Sequence, residues 1–207
     1  MENSQYVYVA SPKVGGAVWS APDGTTLPTD AVTDLPTAFE CLGYISEDGI
    51  VNAVETDTEE IKAYGGKVVK TVQSSRKETF TFTPIETNKV VLAEQYGDDN
   101  VTIDKDGNLT VKHNAFTRPS RVYVIETLLD NNRVSRDVIP FGRITNVGEK
   151  TYASGSAVAS EIEITCEEDS SGNTAYTYIA TIVDDSVPEV SNGGNEQDNQ
   201  PTQEGDN

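Results

Sequence analysis

His113 is the only histidine in the chain, which leaves no two-histidine metal site and no second imidazole for a proton relay. No Ser or Cys stands at a spacing from it that suggests a nucleophile with its base. On a strand over residues 109–113 it shares a face with Leu109 and Val111, so it reads as a strand-end packing residue. Cys41 and Cys166 are too few for a disulfide framework and read as buried thiols. Carboxylates are the abundant reactive groups, and Glu59-Glu60, Asp98-Asp99, Glu167-Glu168 and Asp184-Asp185 each place two side by side. A glycosidase or a divalent-metal site needs such pairs, but it also needs burial that perturbs their ionisation. Among 34 acidic residues, adjacency alone selects none of them. Residues 104–107, DKDG, open like a calcium loop, with carboxylates at alternate positions before a turn glycine. The bidentate glutamate required at the twelfth position is replaced by Ala115, so a plain hairpin turn is expected. No GxxxxGK[ST], GxGxxG or CxxC element occurs, and no catalytic residue, cofactor or metal ligand is assigned.

The bulk composition points the same way. The chain has 207 residues, enough for one compact domain, with 34 acidic and 15 basic side chains and a net charge of −19. Such a surface repels nucleic-acid phosphates and anionic lipid, so neither is an expected ligand. The N-terminus has no basic segment followed by an apolar run. No stretch approaches the roughly 20 apolar residues of a membrane-spanning helix. The expectation is a protein made in a reducing cytoplasm, without membrane attachment.

From residue 50 to 183 the dominant signal is alternation with period two, the mark of strands with one buried face. Phe80 and Phe82 alternate with threonines, Val122 and Val124 with Arg121 and Tyr123, and Ile162, Ile164 and Cys166 with Glu161, Glu163 and Thr165. Tyr176, Tyr178, Ala180 and Ile182 share a face, and residues 51–55, 68–73, 109–113 and 133–146 also read as strands. Tight-turn chemistry separates them at Asp48-Gly49, Gly65-Gly66, Asp106-Gly107, Asn131-Asn132 and Ser171-Gly172-Asn173. Strands joined by hairpins give an antiparallel β-sandwich or barrel.

One helix is predicted over residues 86–96, with Val91, Leu92 and Tyr96 on its apolar stripe and Gly97 at its end. A shorter one is predicted over 36–42, started by Pro36 and stopped by Gly43, with Phe39 and Leu42 docked inward. Residues 11–36 have little periodicity and resemble an arm. On it, Trp19 can anchor to a neighbouring subunit or fold back onto its own domain. The connection over 56–66, TDTEEIKAYGG, is long for a hairpin loop yet keeps Ile61 and Tyr64, which suits docking onto another surface. From residue 184 the chain has seven acidic residues and no basic ones, too polar to offset its ordering entropy, and reads as a disordered tail. The expected division is an N-terminal arm and first strand over 1–36, a β-sandwich over 37–183 and an acidic tail over 184–207.

Four runs in order, GGAVWSAPDGTTLPTD (15–30), FECLGYISEDG (39–49), ETDTEEIKAYGG (55–66) and YGDDNV (96–101), resemble the major tail proteins of long-tailed siphophages. The resemblance covers roughly residues 11–125. It implies a β-sandwich or barrel flanked by a helix, similar to the tube protein of type VI secretion systems. Copies would assemble as hexameric rings stacked into a tube that conducts DNA. It further implies contacts through the arm, the long loop and the C-terminal segment, which by position marks Trp19, Leu27, Glu59, Glu60, Ile61, Tyr64, Gly65 and Gly66 as candidate interface residues. The implied partners are further copies of the chain, a tape measure protein and tail terminator or initiator proteins. The implied location is the virion tail, assembled in the host cytoplasm. Glu161 and Glu163, on alternate positions of one strand face, are candidates for an acidic lumen that DNA slides past. A monomeric acidic β-sandwich acting as an adhesin-like or carbohydrate-binding module is the alternative of a different class.

Overall fold

A computed structural model describes residues 6–13, 16–130 and 132–182. Its strands are β1 (Ala10–Pro12), β2 (Val18–Pro22), β3 (Glu40–Cys41), β4 (Ile45–Lys62), β5 (Val68–Pro84), β6 (Val101–Ile103), β7 (Leu109–Val111), β8 (Arg121–Leu129), β9 (Arg133–Val147), β10 (Ile162–Glu167) and β11 (Tyr176–Thr181). One α-helix, α1 (Lys89–Tyr96), sits between β5 and β6. All pairings among the described residues are antiparallel, as short hairpin connections require. The main sheet runs β3-β2-β8-β9-β10-β5-β4. β1 pairs with β8 and β11 with β9, while β6 and β7 form a separate ribbon.

β9 is the spine of this sheet. One of its edges is taken by β8, whereas the other is shared: β11 pairs up to Val138 and β10 pairs from Phe141 onward. Pro140 lies in the gap between them. Lacking an N–H, it cannot donate to a ladder, and here the β8–β9 register also shifts, between Arg121↔Gly142 and Tyr123↔Ile139. The bulge resets the alternation of β9, so that Ile139 before it and Ile144 beyond it are buried in the same cluster. A side chain at Gly142, just past the bulge, would meet the Tyr123 ring at 2.5 Å.

Alternation sorts β8 into two cores. Tyr123 and Ile125 join Val18, Leu42, Phe80, Phe82, Ile139, Ile144, Ile162 and Ile164 in the larger cluster. Val122 and Val124 join Ala21, Phe39 and Val138 in the smaller one. Val18 on β2 and Phe80 on β5 lie far apart along the sheet path yet share one cluster. The sheet therefore curls over itself, which makes the domain an antiparallel β-sandwich or barrel. Helix α1 covers this core with Val91. It begins three residues later than predicted because the Asn88 side chain accepts the Val91 N–H at 2.9 Å and caps the first turn. Buried on the inner side of α1, Glu94 accepts from the Tyr123 hydroxyl at 2.7 Å and pairs with Arg121 at 3.0 Å. Burial pushes the Glu94 carboxyl above its ordinary range, against the opposing pull of the Arg121 guanidinium.

Three sequence expectations change. Residues 36–42 are not a helix: Thr37 and Ala38 form a turn, and Glu40–Cys41 pairs with Ser20 and Trp19. Two residues of edge pairing plus burial of Phe39 and Leu42 outweigh the weak helix signal of Pro36 and Gly43. Asp48-Gly49 does not reverse the chain. It forms a bulge inside β4, where pairing jumps from Ile45↔Pro84 to Ile50↔Phe82 and Gly49 takes φ 75°. The stretch read as an arm contains β2, whose Val18 and Ala21 are fully buried. Asn131, Val183 and the predicted acidic tail lie outside the described residues.

The polar segment between β2 and β3 is stapled to the sheet by Arg136, only 1% exposed. Its guanidinium donates to the Asp30 carbonyl at 2.7 Å, to the Thr33 carbonyl at 2.9 Å and to the carboxylate of Glu126. Lys13 reaches the same carboxylate at 3.0 Å from the N-terminal side. The Asp30 carboxyl is held down to about 2 by the Thr33 hydroxyl and by the backbone N–H groups of Thr33 and Val32. Arg136→Ala strands Glu126 in the interior with Lys13 alone, and the expected loss is about 3–5 kcal/mol in urea unfolding. Limited proteolysis should then cut first within residues 23–38. Cys166 is buried, and desolvation helped by the Glu78 charge pushes its thiol up to about 12. At pH 8 it stays protonated, so mass spectrometry should find it alkylated by iodoacetamide only after denaturant is added.

Candidate assembly surfaces

The 56–66 segment is the outer end of a long hairpin and not a loop. β4 continues to Lys62 and β5 begins at Val68, so only five residues connect them. The turn closes through Ala63 N–H to Lys67 O at 2.8 Å and Gly66 N–H to Ala63 O at 2.9 Å. Gly65 and Gly66 have φ 97° and 90°, a region L side chains avoid. Sequence supports the extension on both sides, with Thr56 and Thr58 before the turn and Val68, Val69, Thr71 and Val72 after it.

Near the sheet the hairpin is anchored by Phe80 and Phe82, but from Glu55 to Lys77 nearly every residue is exposed. Among these are Ile61 at 51%, Val69 at 60% and Tyr64 fully exposed at the tip. Glu59, Glu60, Ile61, Tyr64, Gly65 and Gly66 are thus gathered at one projecting end. Among the described residues β4 pairs only with β5, so its other edge presents free N–H and C=O groups. Val51 and Val54, both half exposed along this strand, point to opposite faces of it and were not singled out from the sequence.

Trp19 and Leu27 are placed elsewhere. Trp19 pairs with Val124 and Cys41 through its backbone, and its indole N–H donates to the Gly16 carbonyl at 3.3 Å. Both residues pack half-buried on the smaller core, with Phe39, Tyr176 and Tyr178. Within the single chain Trp19 thus lies against its own domain.

The face of β4, β5, β10 and β9 that points away from the larger core is polar. Thr79 and Thr81 of β5 stand beside Thr165 and Glu163 of β10. Glu163 accepts from Lys77 at 3.1 Å and from the Thr145 hydroxyl at 3.1 Å. Glu161 is exposed just before β10, where its carbonyl accepts the Gly148 N–H. The two glutamates flank buried Ile162 and so share this face.

Several other reactive groups are structurally engaged. Asp104 accepts from the backbone of Asp106 and Asn108 and shapes the β6–β7 turn. The His113 ring lies 4.4 Å from the Tyr96 ring, a packing role at the end of β7. An open cleft of about 410 Å³ lies between β5 and β9, lined by Arg76, Glu78, Asp137, Thr174 and Thr177. Glu78 is held there by Arg76 at 2.7 Å and Asn52 at 3.1 Å, which together with the Thr174 hydroxyl draw its carboxyl down against the cost of burial. Asp137 accepts from the Thr177 hydroxyl, and burial raises its carboxyl. No grouping of three or more His, Cys, Asp or Glu suited to a metal ion occurs among the described residues.

No curated protein matches the chain. The family model for phage tail tube proteins does, over residues 1–189, which includes every described element from β1 to β11. The sandwich with one flanking helix, the projecting hairpin and the acidic composition accord with that match. The chain therefore belongs to the phage tail tube protein family and is a structural component of the virion tail.

Proposed function

We propose that copies of this chain assemble as hexameric rings that stack into the tail tube of a long-tailed siphophage. The tube is built in the host cytoplasm around a tape measure protein and bounded by initiator and terminator proteins. DNA passes through it into the host without specific binding, and the protein catalyses nothing. The observation that carries this reading is the β4–β5 hairpin, exposed on both faces and unpaired along one edge over much of an 18-residue strand. A monomer with such an edge is prone to open-ended aggregation, whereas a closed ring pairs each edge and removes the hazard.

In this reading Glu59, Glu60, Ile61, Tyr64, Gly65 and Gly66 contact a neighbouring copy, and the polar face bearing Glu161 and Glu163 lines the channel. The threonines beside them carry no charge to hold a phosphate. The ion pair to Lys77 leaves Glu163 less repulsive than Glu161. Trp19, Leu27 and the segment through residue 36 support contacts between rings from within their own fold. The chain beyond 183 adds a further, acidic contact.

Negative-stain electron microscopy over a concentration series is the direct test. Rings or tubes with sixfold end views are expected, and uniform monomers at every concentration, even with an initiator complex added, would favour a monomeric binding module. Ile61→Ser combined with Tyr64→Ser should leave folding stability within about 0.5 kcal/mol of the parent, since both sites are exposed, while abolishing tubes. Replacing Glu161 and Glu163 together with lysine should slow DNA delivery by assembled phage, and normal delivery would remove them from the lumen.

A further inference from the structure

Charge along the hairpin is distributed against the trend of the chain. Residues 61–77 hold five of its 15 basic residues, Lys62, Lys67, Lys70, Arg76 and Lys77, and none of its 34 acidic ones. Three of the five are neutralised locally: Lys62 by Glu60 at 3.3 Å, Arg76 by Glu78 at 2.7 Å and Lys77 by Glu163 at 3.1 Å. Lys67 and Lys70, nearest the tip, make no ion pair among the described residues. They bracket Val68 and Val69, which are 41% and 60% exposed. Lys70 stands opposite Ile61 in the ladder.

We propose that this return strand is an electrostatic docking strip, and that its occupant is the acidic body of a second copy of this chain. The inference deepens the tube reading above and rests on it. Cationic groups interleaved with exposed valines suit a protein surface, where the valines lose water while the lysines steer approach and fix orientation. Nucleic acid fits less well. Nucleic-acid affinity comes from many phosphate contacts that release counterions, and two unpaired lysines separated by two valines offer few. The rest of the chain carries a large excess of carboxylates, so a second copy supplies the complementary charge wherever the strip lands. Assembly in this scheme overcomes the mutual repulsion of bodies at −19 through one localised attraction.

The test compares the full-length parent with K67E/K70E, K67Q/K70Q and a control, K105E/K112E, whose exposed lysines lie on the β6–β7 ribbon and beside it. The control changes net charge by the same amount as the first variant. Sedimentation velocity and electron microscopy at 0.1 M and 1 M NaCl span a fall in screening length from about 10 Å to about 3 Å. The expected result is assembly by the parent and control at low salt. K67E/K70E should need about tenfold or more higher concentration, K67Q/K70Q should fall between, and salt should weaken the parent. Equal assembly by parent and K67E/K70E would overturn the strip while leaving the tube intact, as would equal impairment of the control. Retention of a short DNA duplex by the parent, lost in K67E/K70E, would replace it with a nucleic-acid site. A parent that forms no rings under any condition would overturn the tube reading itself and the strip with it.

Discussion

A proline in the middle of a central strand removes a donor that a continuous ladder needs, and the arrangement of this sheet follows from where that loss falls. Pro140 sits between the stretch of β9 that pairs with β11 and the stretch that pairs with β10. The missing N–H costs little there because neither neighbour asks for it. The accompanying register shift against β8 resets the alternation of the strand, so Ile139 before the bulge and Ile144 beyond it both join the larger core while Val138 faces the smaller. Residues on both sides of the bulge thereby serve the core that β2 and β5 share.

Around this frame the buried charges are few and paired. Glu126 and Arg136 are cross-strand partners in the β8–β9 ladder, and from there Arg136 reaches the carbonyls of Asp30 and Thr33, while Arg121 with Glu94 ties the helix to β8 where no backbone pairing does. Buried pairs of this kind add modest net stability but penalise alternatives heavily, since any misplacement leaves a desolvated charge alone. They fix which way the N-terminal segment and the helix lie on the sheet. Among the described residues most of the other carboxylates stay at the surface, where solvent screens them, while Asp137 is partly buried against the Thr177 hydroxyl.

Strands whose alternation faces a core were legible in the sequence: Phe80 and Phe82, Val122 and Val124, Ile162 and Ile164. So were the Gly65-Gly66 and Asp106-Gly107 turns, because glycine with positive φ at a reversal has little alternative use. Legibility failed where local signals have two meanings. Asp48-Gly49 suits a turn and a bulge equally, and only the run of Ile50 to Lys62 opposite β5 decides between them. Pro36 and Gly43 bracket a segment too short for helix propensity to compete with the burial of Phe39 and Leu42. Trp19 alternates with buried Val18, a strand signature too short to rise above the surrounding Gly and Pro. The hairpin tip was found through its apolar residues in a charged context. Its extended form was missed because both faces of it are wet, and period two then carries no hydrophobic contrast.

The hairpin also has mechanical consequences. From Glu55 to Lys62 β4 rises roughly 25 Å at the usual advance per residue, so Tyr64 stands about that far beyond the last buried cross-strand pair. Irregularities in the ladder at Asp57/Thr58 and Ile61/Lys62 interrupt this lever and are where its direction changes. A tilt of about 10° at the first carries the tip through roughly 3–4 Å, close to one residue's advance along a strand. A partner docked on the tip, as proposed above, would be displaced by that much for a small difference in angle at the base of the hairpin. In the proposed stack, those two irregular steps would be places where a bend is taken up.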